Sequence, residues 1–125
     1  MAYEQPVWVD GFQSAAADLT LKQGYGVKLT AAKTVGLATA NGEAIFGVLT
    51  NAPNTGETAA VGRVGNFKAV AGALIAAGAK VMVANGGKFI TAATSGSHVV
   101  GFAPEGAGAD GEVFTLSLLP GAPIP

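Results

Sequence analysis

The sequence predicts an all-β protein: a small β-barrel or β-sandwich with one short helical turn and an extended N-terminal arm. Two observations carry this expectation. Gly 19 and 25 Ala make up over a third of the 125 residues, while catalytic residue types are scarce. Turn signals recur roughly every 8–12 residues, the spacing of an all-β sandwich or barrel. One domain of this length buries roughly two-thirds of its unfolded surface. Each Ala removes little area from water, at about 25 cal/mol per Å². Val, Leu, Ile and the six Phe must therefore carry the core, and assembly would add burial that a lone subunit lacks.

The elements follow in order. Residues 1–20 hold Tyr3, Val7, Trp8 (the only Trp) and Phe12, with Pro6 and Gly11 interrupting regular structure. This reads as an extended arm with aromatic anchors, and residues 14–18 suit a helical turn. The arm has two possible placements: back on its own barrel, or on a neighbouring chain as an added strand or groove filler. Residues 27–30 follow the turn Gly24-Tyr25-Gly26 as a strand. Residues 34–39 form the next and run into Asn41-Gly42, a turn pair that tolerates positive φ. The continuous apolar run 44–50 reads as a buried strand, and 51–56 as a loop. Residues 58–65 and 66–72 read as two strands, with Arg63 and Lys68 facing outward.

Residues 73–78 resist a strand assignment and suit a single helical turn closed by Gly78. Residues 80–91 are the clearest hairpin, turned at Asn85-Gly86. Residues 99–103 and 113–118 complete the strands, and Pro120, Pro123 and Pro125 end ladder pairing. The expected organisation is an arm over 1–20, a β domain over 21–120 and a Pro-rich tail over 121–125. An internal echo is visible. Ile45-Phe46-Gly47-Val48, a Pro-containing loop and Gly56-Glu57 resemble Val99-Val100-Gly101-Phe102, a Pro-containing loop and Gly111-Glu112. Two similar strand–loop–strand crossings on opposite sides of one barrel would give this pattern.

Charge and motifs exclude most chemistry. The net charge of −1 argues against generic nucleic-acid binding. All seven basic residues lie between Lys22 and Lys88, flanked by acidic ends. That distribution suits solvated faces and edge-strand lysines, or matching of acidic ends to a neighbour's basic middle. No apolar run reaches the roughly 20 residues of a spanning helix, and the N-terminus does not read as a signal peptide. Without Cys, disulfides cannot hold the fold. Residues 106–111 match G-x-G-x-x-G, but a strand-like run follows where dinucleotide binding needs a helix. His98 is the single imidazole, in a loop-like stretch with Ser95 and Ser97. A catalytic dyad would need tertiary geometry and an orienting acid, so His98 reads as a surface His, and as the one His in a chain without thiolates it makes no zinc site. Glu105, Asp110 and Glu112 cluster without calcium-loop spacing. No cofactor, metal, nucleic acid or membrane is expected, and no enzymatic activity.

The residues do carry a family resemblance. Gly47-Val48-Leu49-Thr50-Asn51-Ala52-Pro53, Thr55-Gly56-Glu57-Thr58-Ala59 and Val61-Gly62-Arg63-Val64-Gly65 resemble the capsid cement (head decoration) proteins of tailed bacteriophages. So do the run from Val70 to Val81 with its following hairpin, and the strand Val99-Val100-Gly101-Phe102-Ala103 leading to Gly111-Glu112. The likeness covers roughly residues 21–120. It implies a small β-barrel or β-sandwich on the outer surface of a virion head assembled in the bacterial cytoplasm. It also implies a homotrimer at local threefold positions, with the major capsid protein as partner. Each copy would bridge neighbouring capsomers and resist the pressure of packaged DNA. Trp8 is then the expected anchor of the arm, supported by Tyr3, Val7 and Phe12. Two rival readings are a phage tail, fibre or host-surface binding module, and a biotinyl or lipoyl carrier domain using Lys88 at its hairpin.

Overall fold

The computed structural model describes residues 4–92 and 98–118 of the chain. Among them run nine strands and no helix: β1 (Gln5–Ala15), β2 (Gly26–Ala31), β3 (Thr34–Leu37), β4 (Gly47–Leu49), β5 (Thr58–Val70), β6 (Lys80–Val83), β7 (Phe89–Thr91), β8 (Gly101–Glu105) and β9 (Val113–Leu118). The order β1-β3-β2-β4-β5, with β1 also paired to β5, closes a first five-stranded barrel. From β5 the sheet runs on through β9, β8 and β6 to β7. The bridge Ala71↔Phe89 returns β7 to the end of β5. Two small barrels therefore share the 13-residue strand β5.

The two barrels are copies of one plan, which extends the echo seen in the sequence. Residues 24–49 repeat in 78–103, each position 54 further on. Gly24 N donates to Leu49 O and Gly78 N to Ala103 O; Leu49 N donates to Tyr25 O and Ala103 N to Ala79 O. Phe46 N donates to Val27 O and Val100 N to Val81 O. The outer parts match at nearly the same spacing. Ala15 N donates to Glu57 O and Ala71 N to Glu112 O, both at 2.9 Å. Thus β1 through the first half of β5 forms one repeat, and the second half of β5 through β9 the other.

Antiparallel pairing of β1 with β5 relates the repeats by a pseudo-twofold axis. Add 56 to a β1 number to find its β5 counterpart, so 5 matches 61 and 10 matches 66. The pair Gln5↔Asn66 then exchanges with Asp10↔Val61, and Pro6↔Gly65 with Val9↔Gly62. Trp8↔Val64 maps onto itself, so the axis passes between those two residues.

Packing repeats with the backbone. One core cluster comprises Ala15, Leu19, Val27, Val35, Leu49, Ala59 and Val61. Their counterparts Ala71, Ile75, Val81, Phe89, Ala103, Phe114 and Leu116 are all buried in the other cluster. The second barrel holds the larger side chains, with Phe89 and Phe114 meeting edge to face at 6.4 Å. Burying each such ring contributes roughly 1.5–3 kcal/mol over leaving it exposed.

Several local expectations are corrected. Residues 73–78 contain no helical turn. Ile75 instead exchanges both backbone hydrogen bonds with Ala107 and its side chain is buried, so a tertiary pairing overrides local helix preference. Residues 14–18 are not helical either: Ser14 and Ala15 end β1, and Asp18 Oδ1 accepts from Thr20 N and Oγ1. The two strands expected over 58–72 are one, because Gly65, at φ 120, stays paired with Pro6 on one side and Leu118 on the other. The strand expected over 44–50 shrinks to β4. The β6–β7 hairpin is present, but its positive φ angles fall on Gly86 and Gly87, one step beyond Asn85. The segment expected as an arm is extended over Gln5–Ala15 and takes the first of its two placements, as a strand of its own barrel.

Candidate functional site

With two filled barrels, the exposed apolar groups are the candidates for contact with other chains. Among the described residues the outer part of β1 is an open edge, since it pairs with β3 only at Ser14 and Ala15. Its register against β5 is irregular between Pro6 and Gln13. Asp10 builds one such step by accepting Phe12 N on Oδ1 (2.8 Å) and Gln13 Nε2 on Oδ2 (3.4 Å). Phe12 is left 84% exposed, Trp8 51% and Val9 41%. Large apolar side chains presented together in this way mark interaction surfaces. Of the expected anchors, Trp8 and Phe12 are exposed in β1, Val7 immediately precedes Trp8 in the strand, and Tyr3 falls outside the described residues.

Beside β1 stands a feature that the sequence reading missed. Arg63, the only arginine, was expected on an outward face of β5. Its guanidinium is instead stacked 4.0 Å from the Phe46 ring and 5.2 Å from the Trp8 ring. Nη1 donates to Phe46 O at 2.5 Å, and Nε is buried with no hydrogen-bond partner. A single Arg beside a lone Trp across an antiparallel pair was the available signal. It becomes readable only once the β1–β5 register is known.

The stack forms one wall of a cleft of about 250 Å³, whose lining also includes Ile45, Val64, His98, Val100 and Leu118. On its other side lies a shallower cleft lined by Lys28, Leu29, Ala44, Ile45, Phe46 and Arg63. His98 is half-buried rather than at the open surface; its N donates to Gly42 O and its Nδ1 lies 3.3 Å from the same oxygen. Nearby, Glu43 organises the 39–42 turn by accepting Thr39 N, Ala40 N and Lys28 Nζ. Partial burial pushes the Glu43 carboxyl up, but these hydrogen bonds and the Lys28 charge together outweigh it and hold the group below its ordinary range.

Elsewhere the motifs are structural. The 106–111 glycine run joins β8 to β9, with Ala107 bridging Ile75. Lys88 Nζ is held by Asp110 at 3.0 Å, which raises its pKa through that hydrogen bond and charge. Among the described residues no three His or acidic side chains converge as metal ligands. No helix there is long and apolar enough to cross a membrane.

Known proteins share this architecture. A family model described as "Phage cement protein" matches residues 10–118. Among solved structures, the head fiber gp8.5 N base of bacteriophage phi29 superposes with a TM-score of 0.69 at 17% identity, covering 91% of this chain and 97% of that chain. At that identity the likeness is one of fold. A search among curated proteins finds no match.

Proposed function

This chain belongs to the phage cement protein family, structural proteins of the virion head, and from that premise we propose that it binds the exterior of a mature head. There it bridges neighbouring subunits of the major capsid protein and stiffens the shell against the pressure of packaged DNA, with no catalytic step. Three copies gather at a local threefold position, assembling in the host cytoplasm. The observation that carries the reading is the exposure of Trp8 and Phe12 in β1, a strand whose outer edge is open among the described residues. Many modest contacts around a shell sum through avidity. Binding favours the mature lattice over its precursor if only that lattice places the partner surfaces at the right spacing.

Deleting residues 1–20 would not test this reading, because it removes a barrel strand. Point substitutions do. Trp8→Ala and Phe12→Ala, singly and together, should weaken decoration of undecorated heads. Interface aromatics of this kind cost about 2 kcal/mol or more when truncated, which is roughly a thirtyfold loss of affinity each. Phe12→Ala should leave thermal stability nearly unchanged, its ring being largely in water. Decoration by the folded double variant equal to wild type would reject β1 as the anchor. A second reading, that the domain serves as the base of a head fibre, is favoured by its fold likeness to the phi29 fibre base. Images of decorated particles distinguish the two, as a fibre base would carry a projecting density and a cement subunit would not.

A further inference from the structure

The cleft behind Trp8 lies on the pseudo-twofold axis and is lined by residues that the repeat relates to one another. Trp8 and its counterpart Val64, Phe46 and its counterpart Val100, and Arg63 and its counterpart Leu118 all line it. In these three pairs the first repeat supplies an aromatic ring or a cation and the second an aliphatic group, while in a fourth, Ala44 and His98, the imidazole comes from the second repeat. Equivalent positions that packed alike would close the axis. Divergence of the pairs leaves a cleft that combines the Arg63 cation and the Trp8 and Phe46 rings with the aliphatic groups of Val64, Val100 and Leu118.

Charge points to the occupant. Lys28 and Lys88 each have a carboxylate, in Glu43 and Asp110. Arg63 has none among the described residues, and its buried Nε meets no acceptor. A half-buried guanidinium without a counter-charge is costly. Its planar fork of donors matches a carboxylate better than any other protein group. At about 250 Å³ the cleft falls below the roughly 300–1,000 Å³ typical of small-molecule sites, which suits an inserted side chain.

We propose that this cleft receives an acidic side chain from a capsid polypeptide, its carboxylate on Arg63 and its aliphatic carbons against Val64, Val100 and Leu118. The inference rests on the capsid-binding reading and names the chemistry of one contact within it. Trp8 then has two roles: its exposed edge docks on the partner and its face holds the arginine in place.

The test has two arms. In the first, isotope-labelled full-length protein is titrated with N-acetyl-leucyl-glutamate amide and with its glutamine analogue, reading the Trp8 indole and Arg63 Nε resonances. The acidic peptide should give saturable shifts at both and bind at least about tenfold tighter than the neutral one, as a charge-assisted hydrogen bond implies. Arg63→Met should abolish that preference. Ala44→Trp, which blocks the mouth from an exposed position without touching the core, should abolish binding of both. Thermal unfolding checks that each variant folds. Equal binding of the two peptides, or no saturable shift, overturns the site.

The second arm measures occupancy of undecorated heads. Both variants should lose at least about tenfold in affinity. Wild-type decoration matched by both folded variants overturns the cleft as a capsid contact while leaving the capsid reading intact. Failure of the wild type to bind heads overturns the capsid reading, and with it the capsid identity of the occupant.

Discussion

At the scale of single residues, side chains that look alike in sequence do opposite work. Phe12 and Phe89 are both phenylalanines in strands, yet one is in water and the other fully buried. Glu43 and Glu57 both follow a turn glycine, and each accepts from its own turn's backbone. Glu43 also holds Lys28, so its ionisation stabilises the 39–42 turn at the edge of the cleft. Its pKa is lowered in the folded state. Its contribution is therefore complete above the unfolded value and is lost as pH falls through the lower folded value. Glu43→Gln should melt below wild type at pH 7, and the difference should vanish as pH falls well below 4.5, the ordinary glutamate value. Melting curves across that range check it; a constant offset would contradict the assignment. The placement of Arg63 was not legible, because outward or inward facing depends on what covers β5, and the sequence leaves the placement of residues 1–20 open between the chain's own barrel and a neighbour.

At the scale of elements, the hairpins β4–β5 and β8–β9 are equivalent, and one feature governs both. Gly47 crosses so close to β5 that a Cβ would run into Gly62 O, and Gly101 meets Ser117 O in the same way. Gly62 and Ser117 are themselves counterparts, each five residues beyond the glutamate of its turn. Gly47→Ala and Gly101→Ala should each destabilise by about 1–3 kcal/mol or more, the cost of overpacking. Gly11→Ala, with open space around it and no positive φ, should change stability little. Denaturant unfolding of the three variants checks this, and a mild effect at Gly101 would break the equivalence. This echo was visible in the sequence because glycine and glutamate hold the same places in both hairpins. The rest of the repeat was hidden: Val35 corresponds to Phe89 and Ala59 to Phe114, so burial was kept while identity was not. The helical turn expected over 73–78 failed for a related reason. Its six residues have helix-compatible composition, but their backbone groups are claimed by the segment around Ala107, and sequence periodicity does not report long-range partners.

At the scale of the whole molecule, two barrels sharing one strand explain how a chain so rich in Ala and Gly forms a stable unit. Small residues allow close backbone approach, and β5 lets one ladder serve both cores. The same arrangement leaves β1 with an open edge and places a cleft on the axis between repeats. The proposed contacts thus lie where the duplication is imperfect: a strand with no outer partner among the described residues beyond Ser14 and Ala15, and equivalent positions filled by unlike residues. The all-β class and most strands were legible from turn spacing, while the shared strand was not, since Gly65 looks like a terminator until its φ is known.

The most direct test of the central claim is co-sedimentation of labelled protein with phage heads lacking their decoration. The protein should bind mature, expanded heads saturably and leave precursor heads bare. Equal indifference to both kinds of head would contradict the account.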